Sequence, residues 1–133
     1  MIEEELTSQI IKAFYKVYNT LGYGFLEKVY EKALLLELSE MGFEVKSQMP
    51  IDVYYNGEIV GDYFADLVVE NKVILEIKVA ESISEAHEAQ TVNYLKATKI
   101  EVGLILNFGQ SATLKRKVFS NNRKPTIDIL LNP

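Results

Sequence analysis

Apolar residues in the first part of the chain follow the spacing of two amphipathic helices. They recur every three or four positions over 6–20, which predicts a first helix with Thr7 near its start as a capping residue. A glycine on each side of Tyr23 interrupts the pattern, and a second helix is predicted over 26–41. Its apolar positions are so many that most of its surface must be covered. Gly42 follows at the position of a left-handed cap.

After the second helix the pattern changes to the two-residue period of β-strands. The Asn56-Gly57 pair is typical of a tight hairpin turn. A third helix is predicted over 84–98, with Ser84 as a good N-cap. Strands are predicted over 43–48, 51–55, 58–70, 73–79, 102–107, 114–119 and 126–131. The order α-α-β-β-β-β-α-β-β-β indicates an α/β or α+β domain with a central mixed β-sheet flanked by helices.

The composition suits one domain with a hydrophobic core. Of the 133 residues, 48% are hydrophobic and 25% are charged, as in soluble globular proteins. No repeat and no linker divides the chain, so residues 1–133 are interpreted as a single domain. No apolar run is long enough to cross a membrane, the amino terminus is acidic, and cysteine is absent. A cytoplasmic location is therefore expected.

The charge pattern narrows the candidate chemistry. The single histidine, His87, excludes multi-histidine zinc sites and leaves carboxylates as metal ligands, which favours Mg²⁺ or Mn²⁺. The net charge of −5 argues against a nucleic-acid partner, but no acid lies between Gly109 and Ile127. That segment contains Lys115, Arg116, Lys117, Arg123 and Lys124. It is either a phosphate-binding surface or an ordinary solvated one.

Two neighbouring predicted strands place charged residues among apolar ones. Over 73–79 the odd positions are all apolar, while Glu76 and Lys78 share the other face. The preceding strand contains Asp66 in an otherwise apolar run. Charges between buried neighbours are costly unless they are paired or functional. These three residues are therefore the main candidates for a functional site.

The turn between these two strands decides which side chains share a face. A two-residue turn would place Asp66 opposite Ile77 and mix charges onto both faces. A three-residue turn over 70–72 places Asp66 opposite Glu76 and gathers the apolar residues on the other face. Because a slip of one residue turns every side chain over, we expect the three-residue turn, with Asn71 in the left-handed region.

Two adjacent carboxylates repel each other unless a cation lies between them, so this cluster favours a divalent metal. Such an ion polarises a phosphoryl oxygen and lowers the pKa of a bound water. Lys78 can orient that water or stabilise developing charge. The alternative is a plain ion pair of Lys78 with Asp66 or Glu76 on an exposed sheet face, and spacing alone does not exclude it.

The same residues resemble a known signature. Asp66 followed by Glu76-Ile77-Lys78 resembles the motif of the PD-(D/E)XK nuclease superfamily, whose restriction-endonuclease-like fold has an αβββαβ core. Within that superfamily, the chain resembles the GxxExxY family of small bacterial and archaeal proteins. The segments that carry this resemblance are 24–30, with Glu27 and Tyr30 in the name motif, 65–70, 76–78, 87–95 and 103–109.

The resemblance implies a role for each matching residue. Asp66 and Glu76 look like the metal-binding acids, and the carbonyl of Ile77 looks like a third ligand. Glu27 resembles the acid that completes the metal site from the first core helix, although an acid there also favours the helix dipole. The catalytic residues implied by the resemblance are Lys78, Glu76, Asp66 and Gln90.

Three residues of the third helix share one face. His87, Gln90 and Tyr94 lie at helical spacing, and Gln90 with Tyr94 resembles a Gln-x-x-x-Tyr element of related nucleases. A lone histidine at a helix start is more often a capping or surface residue than a catalyst. Phe64 stands where the family commonly has arginine, which weakens the expected support for substrate binding. The candidate substrate-binding residues are Tyr94, His87, Tyr30, Lys115, Arg116 and Lys117.

Two classes of function follow from the sequence. The first is a nuclease-like phosphodiester hydrolase that acts on DNA or RNA with Mg²⁺ or Mn²⁺. The second is a non-catalytic nucleic-acid-binding or protein-assembly module that retains the nuclease fold, which the net charge and Phe64 favour. Nucleic acid is the expected partner, a membrane is not, and a homodimer is compatible with the sequence.

Overall fold

The computed structural model describes residues 1–124, in which three α-helices and five strands follow one another. They are α1 (Glu4–Leu21), α2 (Glu27–Glu40), β1 (Val45–Tyr55), β2 (Glu58–Val69), β3 (Val73–Lys78), α3 (Glu85–Lys96), β4 (Val102–Phe108) and β5 (Ala112–Val118). A short 3-10 turn, Asn121–Arg123, follows β5. The predicted strand over 126–131 lies outside the described residues.

The five strands form one mixed sheet in the order β1-β2-β3-β4-β5. β3 and β4 run parallel and are connected through α3, while every other neighbouring pair is antiparallel. From α2 to β4 the elements follow the expected order αβββαβ. The predicted α/β architecture, a central mixed sheet flanked by helices, is confirmed.

Both faces of the sheet are covered by helices. On one face, α1 and α2 pack Phe14 and Leu34 into the same apolar core as Leu75 of β3. On the other face, Leu95 of α3 packs with Ile74. Glu76, in the middle of the sheet, is therefore largely enclosed by apolar layers and is only 3% exposed. Within residues 1–124, no helix is long and apolar enough to cross a membrane.

The turn between β2 and β3 has the predicted length and register. Val69 pairs with Val73, as a three-residue turn requires. Asn71 has a φ of 54°, in the left-handed region as predicted, and Glu70 before it has a φ of 55°. Leu75 consequently lies in the core beneath α1 and α2, together with the other odd-numbered residues of β3.

Two local predictions are wrong and two are confirmed. β1 continues through Pro50 instead of dividing there, because it is an edge strand, where proline is tolerated. α1 begins at Glu4, so Thr7 is buried within the helix and does not cap it. The hairpin turn at Asn56-Gly57 and the left-handed Gly42 after α2, with a φ of 93°, are both present.

β1 and β2 lose their regular pairing next to the predicted site. Ala65 and Leu67 are two residues apart, a spacing that normally puts side chains on one face, yet Ala65 packs on the α3 face and Leu67 on the opposite face. Between them lies Asp66, and opposite it lies Gln48, with a φ of 52°. Neither takes part in the ladder. This interruption frees the N–H and the carboxylate of Asp66 for other bonds.

Candidate active site

The carboxylates of Asp66 and Glu76 are each anchored to the backbone of the opposite strand. The N–H of Asp66 donates to Oε2 of Glu76 at 2.9 Å, and the N–H of Ile77 donates to Oδ2 of Asp66 at 2.8 Å. Regular β2–β3 pairing ends at Leu67 and Leu75, so these bonds extend the pairing through side chains. The two acids therefore lie side by side.

The second oxygen of each carboxylate has little protein contact. Oδ1 of Asp66 is 3.5 Å from Nε2 of Gln48, which is a long hydrogen bond, and Oε1 of Glu76 accepts no hydrogen bond from residues 1–124. Glu76 as a whole is only 3% exposed. Oε1 of Glu76 is not one of the fully buried side-chain atoms that lack a partner, so it remains open to water, a proton or a cation.

Burial and mutual repulsion favour the protonated forms of these two acids. Burial raises the pKa of Glu76 to about 8, and the charge of Asp66 adds to that effect. Burial likewise raises the pKa of Asp66, although the hydrogen bond from the N–H of Ile77 opposes the rise. At neutral pH the pair therefore retains a proton unless a cation takes its place.

Lys78 is half-buried beside the acids, and no ion pair joins it to any residue that the structure describes. The charge of Lys78 lowers the pKa of Asp66, Glu76 and Glu27, whereas burial raises these values. The ammonium therefore lies within electrostatic reach of all three acids. The alternative of a plain ion pair on an exposed sheet face does not match this arrangement. Glu76 is buried, and Lys78 remains unpaired within 1–124.

The first turns of α2 bring two further acids to the site. Glu27 is the first residue of the helix, and burial raises its pKa, while the charges of Lys78 and Asp66 act on it in opposite directions. Glu31, one turn later, is buried and accepts a hydrogen bond from Nε2 of Gln48 at 3.1 Å. Sequence analysis missed Glu31, although its spacing of four residues from Glu27 was an available signal.

His87 caps α3 through a reciprocal pair of hydrogen bonds with Ser84. The N–H of His87 donates to Oγ of Ser84 at 3.1 Å, and the N–H of Ser84 donates to Nδ1 of His87 at 3.2 Å. Burial, and then the charge of Lys78, lower the pKa of His87. The capping role considered from the sequence is therefore present, and the ring lies within electrostatic reach of Lys78.

Gln90 and Tyr94 lie further along α3. Gln90 is half-buried and forms no hydrogen bond with residues 1–124. Burial raises the pKa of Tyr94 to about 12, and the charges of Glu76 and Asp66 add to that effect, so the Tyr94 hydroxyl lies within electrostatic reach of both acids. α3 thus borders the acid pair on the face opposite α1 and α2.

Tyr30 is not available to a substrate, contrary to its assignment from the motif. It is fully buried, and its hydroxyl donates to the carbonyl of Gly22 at 2.6 Å and accepts from the N–H of Phe25 at 3.2 Å. Its ring stacks on Phe108 with the centroids 4.5 Å apart. Tyr30 therefore holds the loop before Glu27 against the core.

The basic residues of β5 do not form one surface. β5 is an edge strand, separated from β3 by β4, and its alternation places Lys115 and Lys117 on one face and Arg116 on the other. Nζ of Lys117 pairs with Oε1 of Glu88 at 3.0 Å, and Arg116 donates to the carbonyl of Ile2. Two of the three cations thus already have protein partners.

Asn107 fixes the backbone just beyond Lys78. It is fully buried and pairs with Lys78 in the parallel β3–β4 register. Its Oδ1 accepts from the N–H of Ala80, and its Nδ2 donates to the carbonyl of Ala80, both at 2.9 Å. A Cβ added at Gly109 would lie 2.2 Å from that carbonyl, so the chains approach too closely there for any side chain. Sequence analysis gave Asn107 no role.

The donor atoms suit a hard cation, although no three His, Cys, Asp or Glu side chains within 1–124 converge on one point. Asp66 and Glu76 each have an oxygen with little or no protein contact. In an extended strand the N–H and C=O of one residue point to the same side, so the Ile77 carbonyl faces the gap that holds Asp66. Oxygen ligands of this kind fit Mg²⁺ or Mn²⁺, and Glu27 must move towards them to act as a third acid.

Comparison with known proteins gives the family. A solved structure of SSO0001 superposes with a TM-score of 0.49 and 16% identity, over 89% of this chain and 59% of that one, so this chain spans about 59% of that protein's length. No curated protein matches the chain. The model of the PD-(D/E)XK nuclease superfamily matches residues 4–119, which extend from α1 past the end of β5. The chain therefore belongs to the PD-(D/E)XK nuclease superfamily and has its α/β, restriction-endonuclease-like fold.

Proposed function

We propose that the protein is a divalent-metal-dependent phosphodiester hydrolase that acts on DNA or RNA, and that it is a member of the GxxExxY family. The observation that carries this proposal is the acid pair. Asp66 and Glu76 are each held by one oxygen on the opposite backbone, which leaves the other oxygen for a cation. Membership of the nuclease superfamily supports a nuclease-like reaction.

The proposed metal ligands are Asp66, Glu76, the carbonyl of Ile77 and, after a change of rotamer, Glu27. A bound Mg²⁺ or Mn²⁺ supplies polarisation of a phosphoryl oxygen and a lower pKa for an attacking water. The backbone N–H groups of Asp66 and Ile77 hold the two carboxylates in place, so their orientation does not depend on the cation. The fixed orientation of these two acids lowers the cost of reaching the reacting geometry, and Glu27 is the ligand that still has to move.

Lys78 and Gln90 are proposed to act on the phosphate and the attacking water. The Lys78 ammonium has no ion pair within 1–124 and lies close enough to the acids to influence their pKa values. It can therefore orient the water or stabilise the charge that develops on the phosphate oxygens. Gln90 has an amide without partners among residues 1–124 and can donate to the same atoms.

The alternative is a non-catalytic nucleic-acid-binding or protein-assembly module. Two observations favour it: three acids do not converge among residues 1–124, and the net charge is −5. In that case the acid pair has a structural function only, with Glu76 protonated between β2 and β3. Cleavage is the property that separates the two functions.

The proposal is tested by incubating labelled single- and double-stranded DNA and RNA with Mg²⁺, Mn²⁺ or EDTA. We expect cleavage of at least one substrate with a metal and none in EDTA. Asp66→Asn should remove the activity, whereas Asp62→Asn, an exposed acid on the same strand, should retain it. Cleavage that persists in EDTA or in Asp66→Asn rejects the assignment, and strand binding without cleavage in any metal supports the module.

Asn107 provides a test of how Lys78 is positioned. Asn107→Ala removes both hydrogen bonds to Ala80, and we expect kcat to fall by about 10- to 100-fold with little change in KM, because small displacements of a reacting group are costly. Thr113→Val removes only the contact of the Thr113 hydroxyl with Nδ2 of Asn107 and should keep most of the activity. A folded Asn107→Ala protein with wild-type kcat contradicts the positioning role.

A further inference from the structure

A half-exposed aromatic ring is held in a fixed position beside the acid pair. Tyr63 is 44% exposed, and its ring centroid lies 5.8 Å from that of Tyr94. The ring also lies against Gly61, where an added Cβ would be 2.9 Å from Cε2 of Tyr63. Glycine at position 61 therefore makes room for the ring. Contacts with β2 and α3 hold the ring, and part of its surface stays open.

This ring is continuous with the candidate active site. Tyr94, its neighbour, has a hydroxyl close enough to Asp66 and Glu76 for both charges to act on it. Phe64, the next residue on β2, is 50% exposed and points to the face opposite Tyr63. Exposed rings therefore flank the strand on both faces just before it reaches Asp66.

Among the described residues, Lys78 is the one cation whose charge is identified as lowering the pKa of both Asp66 and Glu76. The chain carries a net charge of −5, and Lys117 on β5 is already paired with Glu88. Duplex binding relies on many phosphate contacts by lysine and arginine, which this surface does not offer. Stacking on an aromatic ring needs no basic patch, but it requires a base whose face is not covered by its neighbours.

We propose that Tyr63 is a base-stacking residue and that the substrate of the site is single-stranded nucleic acid, an inference that rests on the proposed function. An unpaired base stacks on the open part of the Tyr63 ring, and the adjoining phosphate lies towards Asp66 and Glu76. Tyr94 and Gly61 keep the ring in this orientation, so little side-chain freedom is lost on binding. The substrate class follows from stacking rather than from charge.

The test measures binding by fluorescence anisotropy in Ca²⁺, a hard cation that suits the carboxylates. The probes are a labelled short oligodeoxythymidylate, an abasic strand of equal length and a hairpin duplex. Wild type should bind the oligodeoxythymidylate most tightly. Tyr63→Ala should bind the oligodeoxythymidylate about tenfold more weakly than wild type does, with no change in its affinity for the abasic strand or the duplex. Tyr63→Phe, which keeps the ring, and Tyr55→Ala, an exposed ring at the hairpin turn, should bind like wild type.

Several outcomes overturn the inference. Wild type that binds the abasic strand or the duplex as tightly as the oligodeoxythymidylate contradicts it without any variant. A lower molar mass of Tyr63→Ala in light scattering, with unchanged strand affinity, assigns the ring to contact with a second copy. The results that reject the proposed nuclease function are different from those that reject the stacking role. If strands bind in a Tyr63-dependent way but are not cleaved, the stacking role stands and the nuclease function is rejected. If the protein cleaves duplexes and Tyr63→Ala does not change that cleavage, the nuclease function stands and the stacking role is rejected.

Discussion

Lys78→Ala is expected to lower kcat by about 10²- to 10³-fold on any substrate that the wild type cleaves, the range measured when a group that stabilises transition-state charge is removed. Lys78 forms no ion pair within 1–124, so its loss leaves no described carboxylate without a salt-bridge partner. Its charge lowers the pKa values of Asp66 and Glu76, so the ammonium lies within electrostatic reach of the proposed metal ligands. Metal binding should persist, because both acids remain.

The matched control for Lys78→Ala is Lys72→Ala, which removes an exposed lysine from the turn that precedes β3. Both variants lower the positive charge by one, so a general loss of attraction for nucleic acid affects them equally. Single-turnover rates at saturating substrate separate the chemical step from binding. Equal rates for the two variants, with both proteins folded, reject a catalytic role for Lys78.

The pairing of β2 with β3 was predictable because strand register is a choice between two parities. Leu67 and Val69 can be buried on the same face as Leu75 only if the turn contains three residues, and the observed pairing has this register. The same three-residue turn also fixes the position of the two candidate metal-binding acids. Once the apolar residues share one face, Asp66 and Glu76 must be neighbours.

The surroundings of the acid pair were less predictable. The sequence suggested one apolar face and one polar face, yet Ile74, on the same side of β3 as Glu76, is buried beneath α3. The burial of Glu76, and with it the raised pKa, depends on where α3 packs. Gln48 gave no signal, because nothing in its sequence context marks a left-handed glutamine inside a strand. Tertiary packing decides these features.

The motif residues show the same division between local and tertiary information. Glu27 lies at the start of α2, as the sequence indicated, and helix spacing could have identified Glu31. Tyr30 was assigned to the substrate because it belongs to the motif, but α2 turns it into the core. The role of Asn107 depends on a contact across 27 residues of sequence, which no local pattern encodes.

Without a divalent metal, the protein should become less stable as the pH rises from about 5 to about 8. Glu76 has a pKa of about 8 in the folded state, mainly because it is buried, against 4.5 as its ordinary value. Between these values the folded state holds a proton that the unfolded state has released, so stability present at low pH is lost as the pH rises. Asp66 and Glu27, whose pKa values burial also raises, act in the same direction.

A metal should reverse this trend, because a cation binds the carboxylate form and displaces the proton. Mn²⁺ at about one hundred times its Kd adds roughly 3 kcal/mol, which corresponds to a rise in Tm on the order of 10 °C. We expect that rise near pH 8 and a much smaller one near pH 5.

Glu76→Gln keeps an acceptor for the N–H of Asp66 but cannot ionise, so it should lose most of the pH dependence and of the metal effect. Glu81→Gln, an exposed acid after β3, should match wild type. If Glu76→Gln shows the wild-type pH dependence and the wild-type rise with Mn²⁺, Glu76 neither holds the proton nor binds the metal.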